Sequence, residues 1–294
     1  MGMIGLSIGL NKVAGGSAVS FPLDGIDTPR AVYSTRRLLT SYTGDCVKLR
    51  RSSDDDETDF GFDANGDLDT AAILLWLGGN TAYLVTWYDQ SGNGHDAAQA
   101  VTGEQPIYNV SGLNSCPAFV FDGDTRHDNI DLPDAAIASL AAITIFAVYK
   151  GDVADVHQTM VGMYDIDNDE QQFMFRVRSS NVLMFWFGGT DSGLLGRSST
   201  TFDPTDTIVY TGKASNGSPI QLWINGEEPA YTTQDNAATL LSSFTRNPSI
   251  ARSHNEDLNN DGDGVMAEII IFETALSDAD RGAIETNMIA KWIP

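Results

Sequence analysis

The sequence predicts an all-β fold, a sandwich of two antiparallel sheets with very few helices. Short apolar segments of strand length recur along the chain and are separated by turn residues. Only two stretches have a helical pattern. The hydrophobic share of 42% is enough for a packed core, and 294 residues are within the size range of one large β domain.

The predicted strands are rich in Val, Ile, Phe, Tyr and Trp and are bounded by Gly, Pro, Asn, Asp or Ser. They are expected at residues 45–50, 83–88, 117–121, 142–149, 159–164, 172–178, 182–187, 206–213, 219–224, 248–252 and 265–272. The stretch GRSSTTFDPTD, residues 196–206, has neither the helical nor the strand spacing of apolar residues, and it is predicted to be a loop. So many short strands favour a sandwich.

Two helices are predicted. The segment LDTAAILLWLG predicts a short helix near residues 69–78, with Asp69 as its N-cap and a glycine at its end. The segment at 276–292 predicts a C-terminal helix with Ser277 as its N-cap and an acidic first turn. One face of this helix carries the apolar residues Ile284, Met288, Ile289 and Trp292.

The remaining organisation is simple. Residues 1–30 are rich in Gly, Ser and Ala without a sustained period, and they are predicted to be an N-terminal arm or docking segment ahead of one domain at 31–294. The start of the chain lacks the basic leader of a secretory signal, and no later run approaches the ~18 apolar residues of a membrane helix. We therefore expect a soluble chain made in a cytoplasm, without membrane insertion.

Charge and cysteine content exclude several function classes. Lys+Arg of 17 against Asp+Glu of 40 gives a net charge of -23, which would repel nucleic acid and anionic membrane surfaces. The two cysteines, Cys46 and Cys116, cannot form a disulfide framework and have no metal-ligand spacing, so they are predicted to be core thiols or at most one bridge.

A polar turn follows the strand that ends at Tyr88. The stretch TWYDQSGNGHDAAQA, residues 86–100, is crowded with side chains that could form a site. Asp and Asn commonly bond the backbone of their own turns, and glycines at 92 and 94 permit positive φ. We predict a structural corner in which Asp89 and Gln90 bond loop backbone; the alternative is that the turn also contacts a ligand.

An acidic stretch near the C-terminus matches a calcium-loop pattern. In DLNNDGDGVMAE, residues 257–268, the candidate Ca²⁺ ligands are Asp257, Asn259, Asp261 and Glu268. The residues that follow have the pattern of a strand rather than of a helix, so a solvated acidic loop is the alternative. FDANGDLD is a second, weaker candidate, with a turn and a helix cap as its alternative. Its acidic and amide residues are Asp63, Asn65, Asp67 and Asp69.

Two regions resemble a known family. STRRLLTSYTGDCVKLRRSSD, residues 34–54, followed by YDQSGNG, resembles the catalytic domain of family 54 α-L-arabinofuranosidases. QLWINGEEP, at 221–229, and the last predicted strand and helix resemble the wider concanavalin A-like lectin and glucanase superfamily, which includes laminin G-like modules. The resemblance covers about residues 31–293 and implies a jelly-roll sandwich. Similar sequences also occur in bacteriophage particle proteins.

The catalytic residues of the resembling family are only partly matched. Its nucleophile lies in an Asp-x-Glu-Asn element, and the best match here places Arg178 and Ser180 at the two acids and retains Asn181. Its adjacent Cys-Cys pair matches Gly162-Met163, and its catalytic acid falls near Asp257. The resemblance therefore implies a missing nucleophile, although Glu170 on a neighbouring strand is an alternative carboxylate.

Sugar contacts are predicted from the aromatic residues and from this match. Sugar rings have apolar faces that stack on aromatic side chains. Tyr164 and Trp186 are the aromatic candidates, because Trp87, Tyr88 and Trp223 lie where a core is expected. The predicted carbohydrate-binding residues are Tyr164, Asn181, Trp186 and Asp257.

These observations favour a non-catalytic glycan-binding or decorating protein of a phage or phage-like particle, of the head-spike or tail-fibre type. The expected partners are host cell-surface polysaccharide and, through the arm, other virion proteins, with the chain oligomeric on the particle surface. A glycoside hydrolase of the arabinofuranosidase type, which would be a secreted protein, and a purely structural virion decoration protein are the alternatives.

Overall fold

The computed structural model describes residues 20–123, 125–165, 170–187, 194–198, 201–234, 247–252 and 261–293. The strands are β1 Ala31–Ser34, β2 Val47–Arg51, β3 Glu57–Phe60, β4 Ala82–Trp87, β5 Ala97–Ala98, β6 Ile107–Leu113, β7 Cys116–Phe121, β8 Ile130–Asp131, β9 Ala142–Gly151, β10 Gln158–Asp165, β11 Glu170–Arg178, β12 Val182–Phe187, β13 Leu194–Ser198, β14 Ile208–Ser215, β15 Gln221–Ile224, β16 Tyr231–Gln234, β17 Ser249–Ile250 and β18 Gly264–Phe272. The helices are α1 Thr70–Leu77 and α2 Asp278–Trp292.

The strands form two antiparallel layers. The back sheet has the order β15-β14-β9-β18, and the free edge of β18 pairs with β7 along its first part and with β1 along its second part. The front sheet has the order β3-β2-β4-β5-β8-β17-β10-β11-β12-β13-β16. Strand β6 pairs with both β4 and β7 and joins the layers. The all-β, jelly-roll-like prediction is confirmed.

The back sheet has an apolar cluster on each face, because side chains alternate along its strands. On β9, Ile145 and Ala147 belong to the main core between the sheets. Phe146 and Val148 point the other way, into a second cluster that α2 closes with residues such as Met288. This arrangement explains why the central strands are apolar at nearly every position rather than at every second one.

Both predicted helices form with the predicted caps. The Asp69 carboxylate accepts a hydrogen bond from the amide of Ala72, and α1 ends at Gly78 with φ of 57° in the left-handed region. The Ser277 side chain accepts from the amide of Asp280 at the start of α2. On the apolar face of α2, Ile284, Met288 and Trp292 are buried and Ile289 is half-buried. Within the described residues, no helix has the length and apolar character needed to cross a membrane.

The predicted strands all have counterparts, but several strands were missed. The segments Ala31–Ser34, Glu57–Phe60 and Ile107–Leu113 are too short, too polar or too irregular to give a clear period. The loop prediction for 196–206 was wrong in its first part, because Leu194–Ser198 is a strand between β12 and β16. Backbone pairing with its neighbours stabilises this strand where its side-chain pattern gives no signal.

Part of the predicted N-terminal arm packs against the domain. Residues 1–19 lie outside the described residues, whereas Leu23 is buried and donates its amide to the carbonyl of Leu38 at 3.0 Å. The guanidinium of Arg37 lies over the ring of Phe21. Both cysteines are free thiols; Cys46 is fully buried in the main core, as predicted, whereas Cys116 is half-buried against the second cluster.

Candidate functional site

The polar turn after β4 forms a buried corner. The Asp89 carboxylate accepts hydrogen bonds from the amides of Val32 (2.9 Å), Ser91 (2.9 Å) and His95 (3.0 Å), and from the Ser91 hydroxyl (2.6 Å). Asp89 is only 3% exposed. A carboxylate that accepts this many bonds is fully occupied, so Asp89 fastens the turn to β1.

Gln90 extends this corner. Its amide oxygen accepts from the Leu38 amide at 2.9 Å, and its amide nitrogen donates to the carbonyls of Ser34 (3.1 Å) and Arg36 (2.9 Å). The side chain of Asn93 donates to the carbonyl of Arg30 at 2.9 Å. These bonds confirm the structural-corner prediction, because the side chains bind backbone of residues 30–38.

The side of the front sheet that points away from the main core, which we call the front face, carries both polar and apolar residues. One row of paired residues crosses it on β8, β17, β10, β11 and β12: Asp131, Ser249, Gly162, Met174 and Trp186. Their strand neighbours point inwards, so these side chains point away from the main core. Those inward neighbours are Ile130, Ile250, Val161, Met163, Phe173, Phe175, Phe185 and Phe187. We call this set of five residues the front row.

Two carboxylates lie at the end of the front row. The Ser249 hydroxyl donates to Asp131 at 2.5 Å. Next to it, the Glu104 carboxylate accepts from Arg252 at 3.0 Å and from the side-chain amide of Asn129 at 3.0 Å. Short strands β8 and β17 hold this group together, so carboxylate, hydroxyl, amide and guanidinium groups share one surface.

Cations accompany these carboxylates on the front face. Arg176 follows Met174 by two positions on β11 and is 5% exposed. Burial and the neighbouring charge of Arg178 lower the pKa of Arg176 to about 10, which leaves it protonated at neutral pH. The backbone carbonyl of Arg252 lies 3.1 Å from the point where a Cβ on Gly162 would stand. Arg176 therefore places a positive charge on the front face, and the backbone of Arg252 lies beside the row at Gly162.

The predicted sugar-binding residues are spread over this face. Trp186 is half-buried in the front row, which places its ring where a ligand contact is possible. Asn181 lies in the turn after β11, where its side-chain amide accepts from the Asp155 amide (2.8 Å) and donates to the Asp155 carboxylate (3.0 Å). Tyr164 is placed by its backbone on β10, and Asp257 lies outside the described residues. The sugar contacts of these four residues stay predictions, and the geometry gives Asn181 a turn-forming role.

The positions matched to the family's catalytic residues have no carboxylate among the described side chains. Gly162 faces outwards beside Thr159 and Met174, and Met163 points into the main core. Arg178 ends β11, and Ser180 lies in the exposed turn that follows it. A serine hydroxyl needs an adjacent base to act as a nucleophile, and no such base is among its described contacts.

The two described residues of the predicted calcium loop, Glu268 and Asp261, contact different side chains and do not share a site. Both oxygens of the fully buried Glu268 accept from Arg36, at 2.8 and 2.9 Å, and one of them also accepts from the Ser34 hydroxyl at 2.7 Å. Asp261 lies instead 3.5 Å from His127. Glu268 thus forms a structural ion pair with Arg36, and this arrangement does not fit its predicted role as a calcium ligand.

The structure describes only some of the other predicted calcium ligands. Asp257 and Asn259 lie outside the described residues, and among those described no cluster of three or more His, Cys, Asp or Glu side chains could hold a metal ion. In the FDANGDLD loop, Asp63 accepts from the amides of Asn65 and Asp67, and these bonds hold the pKa of Asp63 below its ordinary value despite partial burial. This matches the alternative of a turn and a helix cap.

Sequence reasoning missed Glu104, Asp131, Ser249 and Arg252. Strands β8 and β17 have two residues each, so no period marks them. Their proximity depends on long-range pairing between β8, β17 and β10. The only local signal is a pair of carboxylates close to apolar runs, which is common in a chain with 40 acidic residues.

The comparisons with known proteins point to one family. Residues 25–117 match a family model described as "Alpha-L-arabinofuranosidase B, catalytic". An "Arabinofuranosidase/B-xylosidase" of Trichoderma koningii and an "Alpha-L-arabinofuranosidase" of Hypocrea jecorina are each 23% identical over 95% of this chain. The chain spans 63% of the length of these curated relatives.

Solved structures establish the same fold. An arabinofuranosidase complexed with arabinofuranosyl-α-1,2-xylobiose superposes with a TM-score of 0.61, 16% identity and coverage of 89% of this chain and 62% of that one. A GH54 α-L-arabinofuranosidase soaked with a cyclic sulfate inhibitor has a TM-score of 0.57, 16% identity and the same coverage. The β-sandwich is consistent with the lectin and glucanase superfamily.

These findings correct the functional prediction. A non-catalytic, glycan-binding or decorating protein of a phage particle was wrong, as was the expectation that the chain is not an enzyme. The matched family model and the curated relatives are arabinofuranosidases, which are enzymes. The placement on a virion surface has no support from these matches.

Proposed function

We propose that this chain is a secreted glycoside hydrolase of the α-L-arabinofuranosidase type, which releases arabinofuranosyl groups from a glycan. The observation that carries the proposal is the sequence match of residues 25–117 to an arabinofuranosidase catalytic-domain model. Similarity to two curated arabinofuranosidases over 95% of the chain supports it. The front face supplies a carboxylate, Asp131, at one end of the front row and a half-buried tryptophan, Trp186, four strands away at the other end.

The nucleophile in this proposal is Asp131. Retaining hydrolysis needs two carboxyl groups about 5 Å apart, one of which attacks the sugar. Because Arg178 and Ser180 occupy the positions matched to the family's acids, the attacking carboxylate must come from another strand. Asp131 lies in the front row, one strand from Ser249 and two from Gly162, and its oxygen accepts the Ser249 hydroxyl at 2.5 Å.

The other roles follow from the surroundings of the front row. Asp257, the residue near the family's catalytic acid, protonates the leaving oxygen in this proposal. Trp186 stacks on a sugar ring, since aromatic faces suit the apolar faces of sugars. Glu104 and Arg252, paired at 3.0 Å, orient the bound glycan from the end of the row.

Hydrolysis of 4-nitrophenyl α-L-arabinofuranoside tests the proposal. The wild-type chain is expected to release nitrophenol, and Asp131→Asn is expected to lower kcat at least about 10³-fold. Asp59→Asn is the matched control, because Asp59 also accepts a hydroxyl, from Tyr88 at 2.6 Å, on the distant edge strand β3. Its kcat should stay within about twofold of the wild-type value.

Absence of hydrolysis by the folded wild-type chain would overturn the proposed activity. Full activity in the Asp131→Asn variant would reject the assignment of the nucleophile and leave the activity standing. Unfolding curves of the two variants show whether a loss of activity comes from a loss of fold.

A further inference from the structure

A cleft lies near the Asp131 end of the front row, at the residue before Glu104. Its volume is about 410 Å³, and it is lined by Arg50, Ser52, Tyr83, Thr102, Gly103 and Arg126. Ligand sites usually have volumes of roughly 300–1,000 Å³. The cleft is therefore large enough for a sugar unit.

The charged side chains that line this cleft are cationic, although the chain is acidic. The chain has 17 cationic and 40 acidic residues, yet both charged residues that line the cleft are arginines. Each arginine is ion-paired to a carboxylate, Arg50 to Asp55 at 2.6 Å and Arg126 to Asp128 at 3.0 Å, and neither carboxylate lines the cleft. The lining thus favours an anion.

The two guanidinium groups are held in fixed positions. Both stack on Tyr83, with distances of 4.7 Å for Arg50 and 5.0 Å for Arg126 to the ring centroid. Arg50 also donates to the side chain of Gln105 at 2.7 Å, and Arg126 donates to the carbonyl of the same residue at 2.8 Å. A guanidinium fixed in this way loses little freedom on binding, and its planar fork suits a carboxylate.

The cleft is adjacent to the residues at the end of the front row. Gly103 in its lining is followed by Glu104, which pairs with Arg252 at 3.0 Å. The carbonyl of Arg252 in turn approaches Gly162 in the front row. A glycan bound along the front row can therefore place a neighbouring sugar unit in the cleft.

We propose that this cleft binds the carboxylate of a uronic acid, so that the substrate is an acidic polysaccharide carrying arabinofuranosyl groups. The inference rests on the proposed arabinofuranosidase activity and specifies its substrate class. Arg126 contacts the uronate, because 26% of its side chain is exposed against 10% for Arg50. Arg50 holds the ring of Tyr83 and adds positive charge.

The experiment compares an arabinosylated glucuronoxylan with the same polymer after its carboxyl groups are reduced to alcohols. The wild-type chain is expected to release arabinose from the acidic polymer with kcat/KM about tenfold higher, and added salt should reduce this preference. Arg126→Gln is expected to remove the preference, and Arg126→Lys, which keeps the charge without the fork, should retain part of it.

Arg30→Gln is the matched control. Arg30 has 27% of its side chain exposed and is also ion-paired, to Glu273, but it lies outside the cleft. This variant should keep the wild-type preference for the acidic polymer. Equal rates on the two polymers, with cleavage of 4-nitrophenyl α-L-arabinofuranoside intact, would overturn the uronate site and leave the proposed function standing.

A binding measurement separates the two proposals if no hydrolysis is found. Calorimetric titration with a glucuronic acid oligosaccharide, and with free glucuronate, tests the cleft without any reaction. Binding of the oligosaccharide that weakens about tenfold in Arg126→Gln but not in Arg30→Gln supports the site. Absence of binding by the wild-type chain, or binding that is equal in both variants, contradicts it.

Discussion

The corner after β4 and the Asp131 end of the front row are both polar, but their side chains have different roles. In the corner, Asp89 and Gln90 direct their hydrogen bonds mostly to backbone of the first 40 residues of the chain. At one end of the front row, Asp131 and Glu104 accept hydrogen bonds from the side chains of Ser249 and Arg252, and Trp186 lies at the other end of the row. The corner therefore determines how the domain is built, and the front row offers groups for chemistry.

The similarity to the arabinofuranosidase family is concentrated in the structural part of the molecule. The matched family segment, residues 25–117, contains the corner but only part of the front face. Its specific motif YDQSGNG thus identifies a scaffold. The proposed nucleophile, Asp131, lies outside this segment, on β8.

The largest expected difference between the two regions is the effect of replacing one tryptophan in each of them with alanine. Trp87, fully buried beside the corner, contacts Phe119 with ring centroids 5.0 Å apart, so Trp87→Ala should lower the free energy of unfolding by about 3–5 kcal/mol. Trp186→Ala should cost less than about 2 kcal/mol and raise KM about tenfold for an arabinosylated polysaccharide, which is long enough to reach from Asp131 to Trp186. Guanidinium unfolding curves and steady-state kinetics measure both effects; similar destabilisation by the two changes would remove the distinction.

The next largest effect is expected from removing one carboxylate of the corner, that of Asp89. Asp89→Ala leaves the amides of Val32, Ser91 and His95 without their acceptor, and we expect a loss of about 3 kcal/mol in the free energy of unfolding. Ser91→Ala, which removes one hydroxyl donor to the same carboxylate, is the smaller companion change at about 1 kcal/mol. Equal and small losses would show that the corner does not fasten the scaffold.

Asp128 gives a pH-dependent test near the cleft. Burial raises the pKa of this carboxyl to about 6, against the partly opposing effects of Arg126 and a backbone hydrogen bond. The raised pKa stabilises the fold below pH ~4, and this stability is lost as the pH rises through about 6, amounting to about 2 kcal/mol. Unfolding midpoints at pH 4.5 and 7.5 should show this loss in the wild type and not in Asp128→Asn. The same pH dependence of stability in both proteins would contradict the raised pKa of Asp128.

Calcium should have the smallest effect. Since Glu268 is paired with Arg36 through both oxygens, we expect calcium or chelator to shift the melting temperature by less than about 2 °C. Differential scanning fluorimetry measures the shift. A larger calcium-dependent shift that disappears in Asp257→Asn would instead restore the predicted metal loop.

The fold was largely predictable because its central strands and both helices have strong local patterns. The apolar runs of β9 and β18 and the caps Asp69 and Ser277 are visible in the sequence alone. The short strand β8 was not predictable, because two residues have no period and its pairing with β17 joins positions more than 100 residues apart. The candidate site depends on that pairing, so Asp131 and Glu104 could be found only in the structure.

Covalent labelling tests the central claim most directly. An arabinofuranose-configured cyclic sulfate reacts with the nucleophile of a retaining arabinofuranosidase, and mass spectrometry of the digested protein locates the adduct. We predict one adduct, on Asp131, which is absent from Asp131→Asn and present in Asp59→Asn. A labelled carboxylate in the corner, such as Asp89, or no label on the folded wild-type chain, would contradict the assignment of catalysis to the front row.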